Sequence, residues 1–250
     1  MQPNTSNPAI SIIIPVLREQ THIHTALHAL NQQIGIDRCQ VIVVDGDTEG
    51  STLKAIDDQP ILALTSERGR GRQMNTGAQA ACAPILLFLH ADTRLPPHAL
   101  DRIQATLTNP TYVGGAFDLS IDTERLFLKY ITWRANLRSR TNRIPYGDQA
   151  IFIRKRYFQE LTGFRDIPIM EDLDFMYRIK RHGGKIHILK DRVITSPRRW
   201  ETEGALFTTL RNQLLVMLYY LGINPRILAK LYPNQSDLDN ERPIHAHSVQ

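Results

Sequence analysis

The sequence predicts an α/β fold with a mostly parallel, doubly wound sheet, followed by an appended second half and a C-terminal helix. Over the first 95 residues, short β-branched or apolar runs alternate with helical patterns and short loops, as is typical of strand–helix–strand units. Residues 85–89 are continuously apolar, which indicates a strand buried on both faces. The handed crossovers of such units bring the strand ends to one edge of the sheet, where open α/β folds bind ligands.

The first half of the chain contains the clearest elements. Residues 9–16 are rich in isoleucine, a strong strand former, and Ile23, Leu27 and Leu30 recur at helical spacing. The predicted strands of this half cover residues 9–16, 40–44, 61–64 and 85–89, and the predicted helices cover residues 21–33, 51–58 and 73–81.

The pattern is looser after Pro97. Strands are predicted at residues 112–121, 149–153, 185–189 and 192–195, and helices at residues 98–108, 123–140, 156–161, 171–182 and 205–221. We therefore expect one domain over residues 9–232, with a flexible tail at residues 1–8 and a disordered one at residues 233–250.

Composition limits the class of protein. The chain has 250 residues, 42% of them hydrophobic, and a net charge of +5, which fits an anionic ligand, a nucleic acid or an acidic membrane without choosing among them. Cys39 and Cys82 lie beside predicted strands, and so few cysteines favour reduced thiols and a cytoplasmic setting. No apolar stretch approaches the roughly 20 residues of a membrane span.

His90 and Asp92 directly follow the predicted central strand at residues 85–89. A carboxylate at the carboxyl end of such a strand is a candidate ligand for Mg²⁺ or Mn²⁺, which favour oxygen donors and phosphate partners. The alternative is that Asp92 caps the next turn.

Asp45, Glu171 and Asp172 are further acidic candidates for a ligand site. Asp45 ends a predicted strand, where a carboxylate often binds a nucleotide base or sugar, although it could instead form a turn with Gly46. Glu171 and Asp172 open a predicted helix. There they are candidates for a general base, or they serve only to favour the helix dipole.

Two cationic segments could bind phosphate. Residues 68–72 alternate arginine with glycine, so guanidinium groups and backbone could both approach a diphosphate; the alternative is a solvated loop. No aromatic residues interleave with this loop, and we expect no nucleic-acid partner. Arg199 and Trp200 join a cation to a ring that could stack on a sugar or simply pack under the last helix.

Six motifs occur in a fixed order along the chain: Ile-Ile-Pro-Val-Leu-x-Glu, Val-Val-Asp-Gly, Arg-Gly-x-Gly-x-Gln-Met-Asn-x-Gly-Ala, Phe-Leu-His-Ala-Asp-Thr, Gly-Asp-Gln-x-Ile-Phe and Met-Glu-Asp-x-Asp. Together they resemble the family 2 glycosyltransferases of the GT-A fold. Within that family the chain looks closest to the small bacterial branch often found near radical-SAM and selenium-related genes. The resemblance implies a nucleotide half at about residues 9–95 and an acceptor half at about residues 96–232.

The resemblance also implies roles for individual residues. Asp172 matches the catalytic base, with Glu171 beside it, and Asp92 with His90 matches the metal motif. The positions matching nucleotide-sugar-binding segments are Pro15, Glu19, Asp45, Arg68, Arg72, Asn75, Gly77, His90 and Asp92. The positions matching the acceptor side are Gly147, Asp148, Gln149, Arg199 and Trp200.

The implied function is inverting transfer of a sugar from a nucleotide-diphosphate sugar to an acceptor hydroxyl, assisted by a divalent cation, Mg²⁺ or Mn²⁺. The acceptor would be a lipid or a small molecule, and the basic surface with the last helix suggests contact with the inner face of a membrane. Two alternatives stay open: a nucleotidyltransferase, and a non-catalytic protein that binds nucleotide sugars or anions. His90, standing where the family has a carboxylate, keeps the second alternative open.

Overall fold

The computed structural model describes residues 7–57 and 59–232, and within them a single sheet of eight strands forms the centre of the fold. Except for residues 7 and 8, the predicted tails at residues 1–8 and 233–250 lie outside the described residues. The strands are β1 (Ile10–Val16), β2 (Cys39–Asp45), β3 (Leu62–Thr65), β4 (Ile85–Phe88), β5 (Thr93–Arg94), β6 (Tyr112–Ile121), β7 (Phe152–Arg154) and β8 (Lys185–Thr195).

Helices cover both faces of this sheet. They are α1 (Ile23–Asn31), α2 (Arg70–Ala80), α3 (Ala99–Thr108), α4 (Leu126–Asn142), α5 (Lys155–Glu160), α6 (Glu171–Arg181), α7 (Arg198–Glu203), α8 (Ala205–Tyr220) and α9 (Pro225–Ala229). Short 3-10 helices lie at Ile36–Arg38, Leu53–Ala55 and Gly147–Gln149.

The strand order is β3-β2-β1-β4-β7-β6-β8-β5. Strands β1 to β4 pair in parallel, and so do β6 and β8, whereas β7 and β5 run antiparallel to their neighbours. The sheet is therefore mostly parallel, as the sequence predicts, and it continues without a break from the first half of the chain into the second.

Two hydrophobic cores lie on opposite sides of the sheet. Ile12 and Ile14 of β1 face a core shared with α1 and α3, while Ile13 faces a second core shared with α2 and α6. All three isoleucines are buried. Burial of both faces explains why the central strands are continuous apolar runs rather than alternating ones.

The structure corrects several predicted elements. The predicted helix at residues 51–58 is wrong over its described part, residues 51–57, where only the 3-10 turn Leu53–Ala55 forms. The Asp45 carboxylate holds the start of this loop by accepting the N–H of Thr52. Helix α2 begins at Arg70 rather than at residue 73. The two strands predicted within residues 185–195 are one strand, interrupted by a register shift at residues 190–191. Strand β5 and helices α7 and α9 were not predicted.

Candidate functional site

The loop between β4 and β5 carries His90 and Asp92 across the carboxyl edge of the sheet. It leaves β4 in the middle of the sheet and reaches β8 at the far side, where the Ser196 N–H donates to the carbonyl oxygen of Asp92 at 3.1 Å. The Thr93 hydroxyl contacts the Thr195 hydroxyl at 3.4 Å. His90 and Asp92 are therefore fixed at the edge where the sequence predicts a ligand site.

Gly147 connects this loop to the start of α6. Its backbone N–H donates a hydrogen bond to Oδ2 of Asp172 at 2.6 Å. A Cβ at Gly147 would lie 3.1 Å from Nε2 of His90 and 3.3 Å from the same Asp172 oxygen. The structure thus brings together three predicted site residues from separate motifs, in a space where a side chain at residue 147 would displace His90 or Asp172 by a few tenths of an ångström.

The two adjacent carboxyl groups at the start of α6 differ in their exposure to solvent. Met170 precedes the helix with φ of 67°, a left-handed conformation that side chains rarely adopt. Glu171 is 5% exposed, whereas Asp172 is half-buried and accessible. Burial raises the pKa of Glu171 to about 7, with the neighbouring Asp172 adding to the rise. Asp172 is therefore the better placed of the two to meet a substrate.

Arg70 belongs to the cationic segment at residues 68–72, of which the family resemblance singles out only Arg68 and Arg72. Its charge lowers the pKa of Glu171, of Asp148 and of His90, which places it among them. Helix α2 begins three residues earlier than predicted, and this places Arg70 in its first turn.

The site residues fit a divalent cation that arrives with a diphosphate. Burial and the Arg70 charge lower the pKa of His90 to about 3, so its imidazole is neutral near pH 7 and able to coordinate. The Thr93 hydroxyl donates a hydrogen bond to Oδ1 of Asp92 at 3.3 Å. Within the described residues no group of three metal-ligating side chains occurs, and a cation of this kind takes most of its ligands from phosphates and water.

Several residues predicted to bind the nucleotide make contacts within the chain. Asp45 is fully buried, and its two oxygens accept the N–H groups of Asp47 at 3.0 Å and of Thr52 at 2.8 Å. It forms the predicted turn and shapes the loop after β2. Pro15 lies within β1, opposite Val44.

Helix α2 is held against its surroundings by three more of the predicted residues. Gly77 lets α2 approach β1, because a Cβ there would meet Ile13 at 2.5 Å. Asn75 exchanges two hydrogen bonds with the backbone of Phe164, at 2.8 and 2.9 Å. The guanidinium of Arg72 binds both carboxylate oxygens of Asp166 at 2.6 Å.

The predicted acceptor-side residues divide into two groups. Gln149 is 1% exposed and donates to the carbonyl oxygen of Phe117 at 2.8 Å, so it supports the loop from within. Arg199 is half-buried on α7, where burial and the Arg70 charge lower its pKa to about 10. Trp200 is half-buried beside it.

The first turn of α7 contacts the loop after β1. Arg198 donates to the carboxylate of Glu19 at 3.1 Å. Glu19, predicted to line the nucleotide pocket, therefore links the two halves of the sheet edge.

Two solved structures with similar folds hold a nucleotide sugar and a nucleotide, respectively. Mannosyltransferase PcManGT from Pyrobaculum calidifontis, in complex with GDP-Man and Mn²⁺, is 22% identical over 77% of this chain and 58% of its own, with a TM-score of 0.57. TarS 1-349 from S. aureus, in complex with UDP, is 16% identical over 75% of this chain and 60% of its own, with a TM-score of 0.59. The predicted GT-A fold is confirmed.

Sequence comparison then gives the family. Residues 11–164 match the family described as Glycosyl transferase family 2. The chain belongs to the family 2 glycosyltransferases. The assignment to the branch near radical-SAM and selenium-related genes stays a prediction.

Two curated relatives match over part of their length. Glycosyltransferase AglE of Haloferax volcanii is 30% identical over 118 residues, 43% of this chain and 39% of that protein. Uncharacterized protein MT1568 of Mycobacterium tuberculosis is 25% identical over 210 residues, 70% of this chain. The chain spans 63% of the length of MT1568.

Proposed function

We propose that this protein transfers a sugar from a nucleoside-diphosphate sugar to an acceptor hydroxyl, with inversion and with Asp172 as the general base. The observation that carries the proposal is the convergence of Asp172, Gly147 and His90 at the carboxyl edge of the sheet in a chain of this family. The family assignment favours sugar transfer over the alternative of nucleotidyl transfer.

Asp172 would accept the proton of the acceptor hydroxyl. The hydroxyl oxygen forms a bond to the anomeric carbon, the bond from that carbon to the phosphate oxygen breaks, and the nucleoside diphosphate leaves with the electron pair. The Gly147 N–H holds one oxygen of Asp172, which restricts the direction from which the carboxylate meets its substrate. Glu171, buried beside it, has a pKa raised to about 7 and is therefore only partly ionised near neutral pH, which reduces the second negative charge beside Asp172.

Arg70 would bind the diphosphate and stabilise the charge that develops as it leaves. Arg72 contributes indirectly, because its guanidinium is already held by Asp166 and Glu67. Asp92 and His90 would hold the divalent cation, Mg²⁺ or Mn²⁺. When bound, that cation neutralises charge on the diphosphate.

The remaining predicted donor-side residues would act by shaping the pocket. Asp45 fixes the loop after β2, and Asn75 fixes the turn before α6, each through backbone hydrogen bonds. We assign them to positioning rather than to contact with the nucleotide.

A peripheral membrane contact is part of the proposal, with an anionic lipid surface as the partner. No helix in residues 7–57 or 59–232 is long and apolar enough to cross a bilayer. Helix α8 nevertheless presents an exposed apolar stripe, and α9 adds exposed apolar and basic side chains beside it. These exposed residues are Leu206, Phe207, Leu210, Leu214, Met217, Leu221, Arg226, Ile227, Lys230 and Leu231. An apolar face flanked by cations is typical of a helix lying in an anionic interface.

A thermal-shift screen tests donor binding. The purified protein would be heated with UDP-, GDP- and dTDP-sugars, each with and without Mn²⁺. A ligand that binds the native state raises Tm by mass action, so we expect one nucleotide family to raise it and Mn²⁺ to enlarge the shift. No shift with any nucleotide sugar would contradict the proposal. A shift without turnover would favour the non-catalytic alternative.

A further inference from the structure

Arg138 of helix α4 places a charged group inside the acceptor half of the site. Its Nη1 and Nη2 atoms are buried and have no hydrogen-bond partner among the described residues. Its Cζ atom lies 3.3 Å from the centre of the Tyr146 ring, so the guanidinium stacks on that ring. Tyr146 immediately precedes Gly147, whose N–H binds Asp172. Arg138 is therefore tied to the loop that orients the proposed base.

Asp148, two residues after Tyr146, shows a matching feature. Its Oδ1 atom is also buried without a hydrogen-bond partner among the described residues. The two side chains are close enough that Arg138 lowers the pKa of Asp148, which burial and Asp172 together raise to about 6. Two guanidinium nitrogens of Arg138 and one carboxylate oxygen of Asp148 therefore lack hydrogen-bond partners among the described residues. Both side chains belong to the region of the loop that contacts Asp172.

Two other polar side chains of α4, each two residues from Arg138, have hydrogen-bond partners. Asn136 exchanges two hydrogen bonds with the backbone of Leu119, at 2.7 and 2.9 Å. Arg140 pairs with the buried Asp118. Burying a guanidinium without partners is unfavourable by several kcal/mol in general. A ligand with oxygen atoms would supply the hydrogen bonds that this guanidinium lacks.

We propose that Arg138 and Asp148 form the acceptor subsite, and that the acceptor carries an oxyanion, a phosphate or a carboxylate, near the hydroxyl that receives the sugar. The guanidinium presents parallel N–H donors that match two oxygens of such a group. Asp148 accepts a hydrogen bond from a neighbouring acceptor hydroxyl. This inference rests on the proposed function, because it takes Asp172 as the base toward which the acceptor is oriented.

Binding of three related probes tests the inference. Glycerol 1-phosphate, glycerate and glycerol differ in the group beside the hydroxyls, and titration calorimetry would measure each at constant ionic strength. The variants are R138Q and, as a matched control one turn away, R134Q, since Arg134 is exposed on the same helix. We expect wild type and R134Q to bind an anionic probe at least tenfold more tightly than glycerol, and R138Q to bind all three alike. Vesicles containing phosphatidic acid would distinguish a lipid phosphate from a soluble one.

Thermal stability separates a binding role from a structural one. Because R138Q removes a buried charge without hydrogen-bond partners and loses in exchange the stacking on Tyr146, we expect its Tm to stay close to that of wild type. An R138Q variant that keeps the preference for anions would overturn the inference. So would a wild-type protein without that preference, or a variant that loses it only together with its stability. The donor-induced Tm shift is read separately: its absence in wild type would contradict the proposed function, whereas its presence with unselective probe binding would contradict only the subsite.

Discussion

The backbone N–H of Gly147 lies 2.6 Å from Oδ2 of Asp172 and joins the acceptor-side loop to the first turn of α6. Gly147 also lies against His90, which follows the central strand β4. Three segments that are distant in the sequence therefore meet at a residue without a side chain.

The variant G147A should impair turnover more than stability. The φ of Gly147 is not in the left-handed region, so alanine fits the backbone, but its Cβ would lie 3.1 Å from His90 and 3.3 Å from Asp172. A shift of the carboxylate by a fraction of an ångström should reduce kcat about 10- to 100-fold. Steady-state kinetics would be compared with the Tm. Wild-type turnover in G147A would show that the position of Asp172 is not critical.

Replacing Glu171 should change how stability depends on pH. Its pKa in the folded protein is raised from 4.5 to about 7, so the folded state keeps a proton that the unfolded chain releases. Stability from this group is present below pH 4.5 and is lost as the pH rises to 7. The variant E171Q lacks this loss. The difference in free energy of unfolding, E171Q minus wild type, should therefore increase by about 3 kcal/mol from pH 4 to pH 8.

Urea unfolding of both proteins at pH 4 and pH 8 measures this difference. The comparison between variant and wild type removes the contribution of the other titrating groups. A difference that stays constant with pH would show that the Glu171 carboxyl is not held protonated by burial.

Arg70 and Arg72 should differ in donor binding although they are two residues apart. Arg72 is held by Asp166 through two bonds of 2.6 Å, whereas the charge of Arg70 acts on His90, Asp148 and Glu171. The variant R70Q should weaken binding of a nucleoside diphosphate about tenfold or more, because charge-assisted hydrogen bonds contribute roughly 1.5–3 kcal/mol. The variant R72Q is the matched control and should bind almost normally. Equal losses in the two would contradict the assignment of Arg70.

The exposed face of α8 should contribute to vesicle binding. Leu210 is 56% exposed and Leu214 is 46% exposed, and each buried leucine adds roughly 1.5 kcal/mol or more. The variant L210S/L214S should therefore lose at least about tenfold in affinity for phosphatidylglycerol vesicles in a cosedimentation assay. Ile34, 50% exposed after α1, provides the control I34S. If both variants sediment like wild type, α8 is not a membrane contact.

The sequence predicts the strands better than the connections between them. Strand β6 has the predicted limits, Tyr112–Ile121, although residues 114–119 are buried in succession rather than alternately. Over residues 51–57 only the 3-10 turn Leu53–Ala55 forms. The carboxylate of Asp45, fully buried at the end of β2, accepts the N–H of Thr52 and fixes this loop, and a contact of that kind leaves no periodic signal in the sequence.

The same distinction applies to the site. Strand-edge reasoning predicts that Asp92 lies at the carboxyl edge, the family resemblance singles out Asp172, and the structure joins their segments through Gly147. Arg138 could not be identified in this way. Only the structure shows that its guanidinium lacks hydrogen-bond partners among the described residues and acts on Asp148. In the sequence it is one arginine among several on a basic helix.

Turnover by D172N tests the central claim most directly. The measurement is release of nucleoside diphosphate from a donor that raises Tm, with D101N on α3 as the control for loss of a surface carboxylate. We predict that D172N keeps the donor-induced Tm shift and loses about 10²- to 10⁴-fold in turnover, as expected for removal of a general base, while D101N matches wild type. Turnover by D172N at the wild-type rate would contradict the assignment of Asp172 as the base.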